Sequence, residues 1–294
     1  MRDVSDWLFK GHGEHSTLPK EELLSPDNIE YIMKYPRPFE NRVNWEDVNE
    51  VIAAEICKML GIKTVDAEIA YRNQRRGCLM LHFLSQYQAQ GELGGTLLEV
   101  ELEEKYNYIQ NNILSSGLLV KESFSFIECF SYFPLIKKDF IFMNVFDILI
   151  GNQDRHPYNW QILFKEDRIF FGPLYDNGAS LGWQLSDQQL QIYINDEKKM
   201  EQYFTKMKVK AGLIKNTKPR MKAIDVLSYC KIHYPEEMQA IKEKLEHFHN
   251  ERFHEYIDQF PLISDIRKDF IKEFVSFRKR KIISLIESED YYDV

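Results

Sequence analysis

The sequence predicts an α+β protein in two lobes, a small β-rich lobe over residues 1–86 and a larger, mainly helical lobe over residues 87–294. Short alternating apolar runs flank a single helical stretch in the first part. Gly91, Gly94 and Gly95 then shift the composition between Gln86 and Gly95, and beyond them apolar residues recur at helical spacing. With 294 residues, 44% of them hydrophobic and 14% aromatic, the chain can bury a sizeable core, so disorder is not expected.

Gly11-His12-Gly13, followed by Ser16 and Thr17, reads as a glycine-rich turn whose backbone N–H groups can approach a phosphate closely. Two glycines fit an ordinary surface loop equally well. Position adds to the first reading, because a nucleotide-covering loop should precede a strand carrying a lysine. Residues 29–36 alternate as a strand, contain Lys34 and end on Pro36. Residues 45–60 read as a helix: Val48, Val51, Ile52, Ile56, Met59 and Leu60 share one face, and Gly61 stands where a C-terminal glycine belongs. Residues 67–71 and 78–83, around a polar turn, complete a small sheet.

After the glycine-rich boundary, helices are expected over residues 97–119 with breaks, 124–133 and 136–150. Their aromatic side chains, Phe124, Phe130 and Phe140 among them, read as core rather than as a ligand stack. The third helix would deliver the chain into residues 151–178. Residues 195–214 are too polar to assign. Residues 219–290 read as three or four amphipathic helices, for example 223–232, 236–248 and 263–286, with Arg278-Lys279-Arg280-Lys281 as a solvated face.

Formal charge is −8, which argues against nucleic acid or an anionic membrane as the main partner. Cys57, Cys78, Cys129 and Cys230 form no Cys-x-x-Cys pair, so neither zinc nor a disulfide framework is suggested. The first residues lack an apolar signal region. The most apolar run, 140–150, is broken by Asn144 and Asp147 and falls short of the ~20 residues of a spanning helix. A cytoplasmic location without membrane association is therefore expected.

Chemistry concentrates in Gly-Asn-Gln-Asp-Arg-His-Pro-Tyr-Asn-Trp from Gly151, and in Gly-Pro-Leu-Tyr-Asp-Asn-Gly ending at Gly178. Phosphoryl transfer needs a carboxylate near the acceptor hydroxyl and hard oxygen ligands that hold magnesium against the phosphates. Asp154 suits the first task; Asn159 and Asp176, five and then seventeen positions further on, suit the second. Residues 160–171 between the latter two read as a β-hairpin, which brings its open ends together so that both side chains can share one ion. Either motif alone is an ordinary turn, since Asp, Asn, Gly and Pro dominate turns. Both at hairpin spacing favour the site.

These two segments resemble the catalytic core of HipA-type serine/threonine kinases, a divergent branch of the protein-kinase-like fold. The resemblance implies a bilobal protein-kinase-like architecture and an ATP-dependent protein kinase using ATP and Mg²⁺. In it Gly11, Gly13 and Ser16 belong to the nucleotide-phosphate loop, and Lys34 binds the α/β-phosphates. Glu50 and Glu55 both lie on the following helix but point in different directions, and the resemblance favours Glu50 as the partner of Lys34. Leu81, His82 and Phe83 would form the hinge beside adenine, with a structural role for the His82 ring. Asp154 would orient or deprotonate the hydroxyl, Asn159 and Asp176 would hold magnesium, and Arg155 and His156 would shape the loop.

The family also implies a toxin-like or autophosphorylating kinase, a protein substrate with a Ser/Thr acceptor and an antitoxin protein as partner; Ser16 or Thr17 would be the modified residue. Tyr-Asp-Asn-Gly stands in place of Asp-Phe-Gly and no Ala-Pro-Glu follows, so the usual packing switch of protein kinases is not assumed. Asp-Arg-His is shared with phosphoinositide kinases, which keeps a lipid or small-molecule kinase open. A pseudokinase binding module is the alternative outside enzymes.

Overall fold

The structure, a computed structural model, describes residues 1–12, 19–38, 44–216 and 220–289. Its amino-terminal lobe is a six-stranded sheet built from β1 (Arg2–Asp3), β2 (Leu8–His12), β3 (Lys20–Leu24), β4 (Glu30–Lys34), β5 (Ala67–Arg72) and β6 (Arg75–Leu81), with α1 (Glu46–Met59) between β4 and β5. The strand order is β1-β5-β6-β4-β3-β2, and only the β1–β5 pair is parallel. Period-two alternation gives the sheet two apolar faces. Ile69, Cys78 and Met80 turn toward α1 and the main core, whereas Met33, Ala70 and Leu79 join Val4, Trp7 and Leu23 in a second, smaller cluster.

The helical lobe opens with α2 (Phe83–Tyr87) and β7 (Gln90–Leu93), followed by α3 (Gly94–Glu101), α4 (Glu103–Asn111), α5 (Ser116–Glu128) and α6 (Phe133–Ile150). Helix positions differ from those expected over 97–133. Leu102 leaves helical geometry, and Ser115 accepts a hydrogen bond from the N–H of Leu118, so a capped helix starts at Ser116. Strand β7, unforeseen in the glycine-rich stretch, pairs with β8 (Gln161–Lys165), which pairs in turn with β9 (Arg168–Phe171). The expected hairpin is thus the core of a three-stranded sheet.

Helix α7 (Asp187–Ile194) follows the segment after Gly178. The polar stretch 195–214 contains α8 (Glu197–Thr205), capped by Asp196, and β10 (Lys208–Val209), which pairs with β11 (Met221–Lys222). The tail is four helices, α9 (Ala223–His233), α10 (Pro235–Glu246), α11 (Asn250–Gln259) and α12 (Asp265–Glu287). Arg278 departs from the solvated face expected of its charge run. It is only 1% exposed and donates to the carbonyl of Ile148 at 2.7 Å, which offsets the cost of burying its charge. Among the described residues no helix is long and apolar enough to cross a membrane.

Candidate active site

The site is assembled where α6 ends. Gly151 takes the left-handed conformation (φ +74°) that ends the helix, and the chain turns back over it. Asp147, buried on the last turns of α6, accepts a two-pronged contact from Arg155 at 2.9 and 3.0 Å and a third hydrogen bond from Asn152 at 2.9 Å. Arg155 also donates to the carbonyls of Asn159 and Tyr175 and to Asn177 Oδ1. One buried guanidinium therefore ties the Asp154 loop to the Asp176 segment. Burial pushes the Asp147 carboxyl up against the pull of Arg155; burial would lower the Arg155 guanidinium, but Asp147 outweighs it and raises the group.

Asp154 is fixed by its backbone, whose N–H donates to Asn152 Oδ1 at 3.0 Å. Its Oδ1 accepts from Lys210 Nζ at 2.6 Å. Lys210 is nearly enclosed, with a side chain 4% exposed, whereas that of Asp154 is 40% exposed toward the cleft. The segment carrying Lys210 is held in place twice: Gly212 N–H donates to the Arg155 carbonyl, and Trp160 Nε1 donates to the Gly212 carbonyl. Sequence reasoning missed Lys210 because it lies 56 positions away, in the stretch too polar to assign.

Asn159 closes a one-turn 3-10 helix, Pro157–Asn159, whose preceding His156 accepts the Tyr158 N–H on its ring nitrogen. Its Nδ2 donates to the Asp154 carbonyl at 3.2 Å, which leaves Oδ1 for a ligand. Burial pushes the His156 imidazole below its ordinary value, against the opposing charge of Asp154.

Asp176 sits at φ +61°, a conformation open to Asp and Asn at modest cost. Lys34 Nζ donates to its Oδ1 at 2.9 Å. Burial alone would raise this carboxyl, but Lys34 outweighs it and holds the group down at about 2. Burial would likewise lower Lys34, and the carboxylates of Asp176 and Glu50 raise it instead.

The structure differs on the partner of Lys34: the ion pair is with Asp176, not with Glu50. The carboxylate of Glu50 is taken by loop donors, accepting from the N–H of Asn177 at 2.7 Å and of Gly178 at 2.9 Å and from Asn177 Nδ2 at 3.2 Å. Glu50 thus fixes the Tyr-Asp-Asn-Gly loop to α1 and influences Lys34 through space. Gly178 permits this approach, since a Cβ there would lie 2.6 Å from the carbonyl oxygen of Glu46.

Lys34, Glu50, Asp154, His156, Asn159 and Asp176 all face one inner cleft. A cavity of about 250 Å³ continues from it, lined by Lys20, Leu81, His82, Phe83, Tyr175 and others. Phe83 and Tyr175 stack at 5.6 Å on its wall. The N–H groups of Leu81 and His82 are already engaged by the carbonyls of Asp66 and Glu30. Lys20, opposite Lys34 in the β3–β4 register, is lowered by burial and by the charge of Lys34. Gly11 lies on β2, opposite Glu22, where a Cβ would meet nothing within 4 Å. Gly13, Ser16 and Thr17 lie outside the described residues.

Among curated proteins the chain is similar to the serine/threonine-protein kinase CtkA of Helicobacter pylori, with 26% identity over 273 residues that cover 88% of this chain and 79% of that protein. The crystal structure of CtkA, described as a Helicobacter pylori proinflammatory kinase, superposes with a TM-score of 0.76 at 20% identity, covering 97% of this chain and 96% of that one. The HipA toxin–antitoxin structure from Shewanella oneidensis, a complex with HipB and operator DNA, gives a TM-score of 0.53 at 13% identity over 96% of this chain and 66% of that chain. These likenesses bear out the kinase-like fold. The HipA-like C-terminal domain model matches residues 17–233, most of the chain and every described residue of the cleft, and on that match the protein belongs to the HipA-like C-terminal domain family.

Proposed function

We propose that the protein is an ATP-dependent serine/threonine protein kinase of the HipA-like type. The observation that carries this reading is the convergence of Lys34, Asp154, Asn159 and Asp176 on one cleft, with an apolar-walled cavity beside it of a size suited to a nucleotide base. Lys34 and Lys20 supply positive charge for the phosphates, while Leu81, His82 and Phe83 border the base. Gly11, with Gly13 and Ser16, covers the phosphates in this reading.

Among the described residues no three His, Cys, Asp or Glu side chains cluster as a metal site. The donor set fits magnesium nonetheless, because that ion needs few protein oxygens when nucleotide phosphates and water complete its shell. Asn159 Oδ1 and the Asp176 carboxylate are those oxygens; the bound ion would neutralise phosphate charge. Asp154 has one carboxylate oxygen engaged by Lys210 and the other free to accept the proton of an incoming serine or threonine hydroxyl. Lys210 holds that carboxylate in place and adds positive charge beside the transferred group. Arg155 contributes geometry, since its donors are spent on Asp147 of α6 and on the two segments it ties together.

The test is transfer of radiolabelled phosphate from ATP with Asp154→Ala, Asn159→Ala and Asp176→Ala. Wild-type turnover in any one of them would remove the role given to that residue. A thiophosphate screen of protein lysate against inositol lipids separates a protein acceptor from a lipid one. An antitoxin partner of the HipB kind and a cytoplasmic location are proposed on family likeness, and co-purification from the native host tests the former.

A further inference from the structure

A groove of about 520 Å³ runs between α7 and α8, lined by Gln153, Gln189, Tyr193, Lys199, Gln202 and Lys206 among others. It shares no lining residue with the cleft or with the cavity beside it. Gln153 immediately precedes Asp154, and Met207, also on its wall, lies three residues before Lys210. Each member of the Asp154–Lys210 pair is thus within three residues of this groove along the chain. In phosphoryl transfer the attacking and leaving oxygens are roughly in line, so an acceptor reaches Asp154 from the side away from the nucleotide. Gln153 on its wall puts the groove one residue along the chain from the carboxylate that the acceptor must reach.

Its charge runs against the balance of the chain as a whole. The chain carries 46 acidic against 38 basic residues, yet no carboxylate lines this groove while two lysines do. Lys199 is 3.9 Å from Asp196, an exposed contact of little strength. Lys206 has no carboxylate partner among the described residues. Two acids on the same helices are engaged elsewhere, Asp187 toward Arg267 and Glu201 with Lys281. Three glutamine amides offer donors and acceptors to an extended backbone, and the rings of Tyr193 and Tyr203, 5.0 Å apart, give an apolar floor.

Resting on the kinase reading, we propose that this groove seats the acceptor segment of a protein substrate and selects segments with acidic side chains flanking the serine or threonine. Long-range attraction to a molecule of net charge −8 would favour basic segments, so local and global fields predict opposite signs.

The experiment uses two short fluorescent peptides, a central serine flanked by glutamates and its lysine-flanked counterpart, with binding to the full chain followed by fluorescence anisotropy. Wild type is expected to bind the acidic peptide about tenfold more tightly, and Lys199→Glu with Lys206→Glu is expected to abolish or invert that preference. Lys121→Glu with Lys138→Glu, equal in charge change but off the groove, should leave it intact. Equal or basic-favouring binding by wild type, or the same loss in the off-groove variant, would overturn the proposal. Binding needs no phosphoryl transfer, so the two readings separate: charge-selective binding without Asp154-dependent transfer to the bound peptide counts against the kinase reading and not against the groove.

Discussion

Asp154 makes an ion pair with Lys210, whose side chain is almost wholly enclosed. Lys210→Met is therefore expected to lower kcat at least tenfold with little change in KM for ATP, and Lys210→Arg to restore part of it; equal losses in both variants would mark a packing role instead. Arg155→Met leaves the Asp147 carboxylate buried without its cation, and a loss of about 3–5 kcal/mol in denaturant unfolding is expected. His156 titrates below its ordinary value of 6.5, so the unfolded chain takes up the proton first. Stability should accordingly be full above pH 6.5 and fall as the pH drops through the range beneath it. His156→Asn should flatten that slope in thermal unfolding followed without nucleotide or metal. Asp147 was visible in the sequence as a polar break in an apolar run, and a buried carboxylate demands a partner. The identity of that partner, eight positions on and across a left-handed turn, follows only from the backbone path.

At the scale of elements, the hairpin and its two flanking motifs were legible because strand alternation and turn residues are local signals. The same holds for α1, whose apolar face and terminal glycine give it away. Helices over 94–128 were displaced because their boundaries are set by caps and by packing rather than by period. Helix α8 escaped notice since only Met200 and Phe204 of its residues are buried, too few to show a face in sequence. Glu50 was found on the right helix but paired differently: the donors that claim it, the N–H groups of Asn177 and Gly178, carry no side-chain signature. Gly178→Ala would force the loop away from α1, given the 2.6 Å approach to Glu46. The expected outcome is a higher KM for ATP together with about 1–3 kcal/mol of destabilisation, measured by steady-state kinetics and chemical unfolding.

For the whole molecule, the cleft lies between a sheet and a helical body joined through one continuous apolar core. Ligand bound there stabilises both together. Magnesium and ATP at about a hundred times Kd should add roughly 2.7 kcal/mol, seen as a rise in Tm. Asp176→Ala or Lys34→Met should abolish the rise, and an unaltered shift in either would place nucleotide binding elsewhere. Net charge and mean composition spoke to none of this, because a site of six side chains barely moves a total drawn from 294 residues. Helix α12 reaches across the back of the molecule, where Arg278 grips the Ile148 carbonyl just before the Asp154 loop and Arg267 grips the carbonyls of Gly182 and Leu185 just beyond Asp176. A chain cut before Asp265 would lose both holds at once, so the setting of the two segments that carry Asp154 and Asp176 depends on a distant helix that lines no part of the cleft.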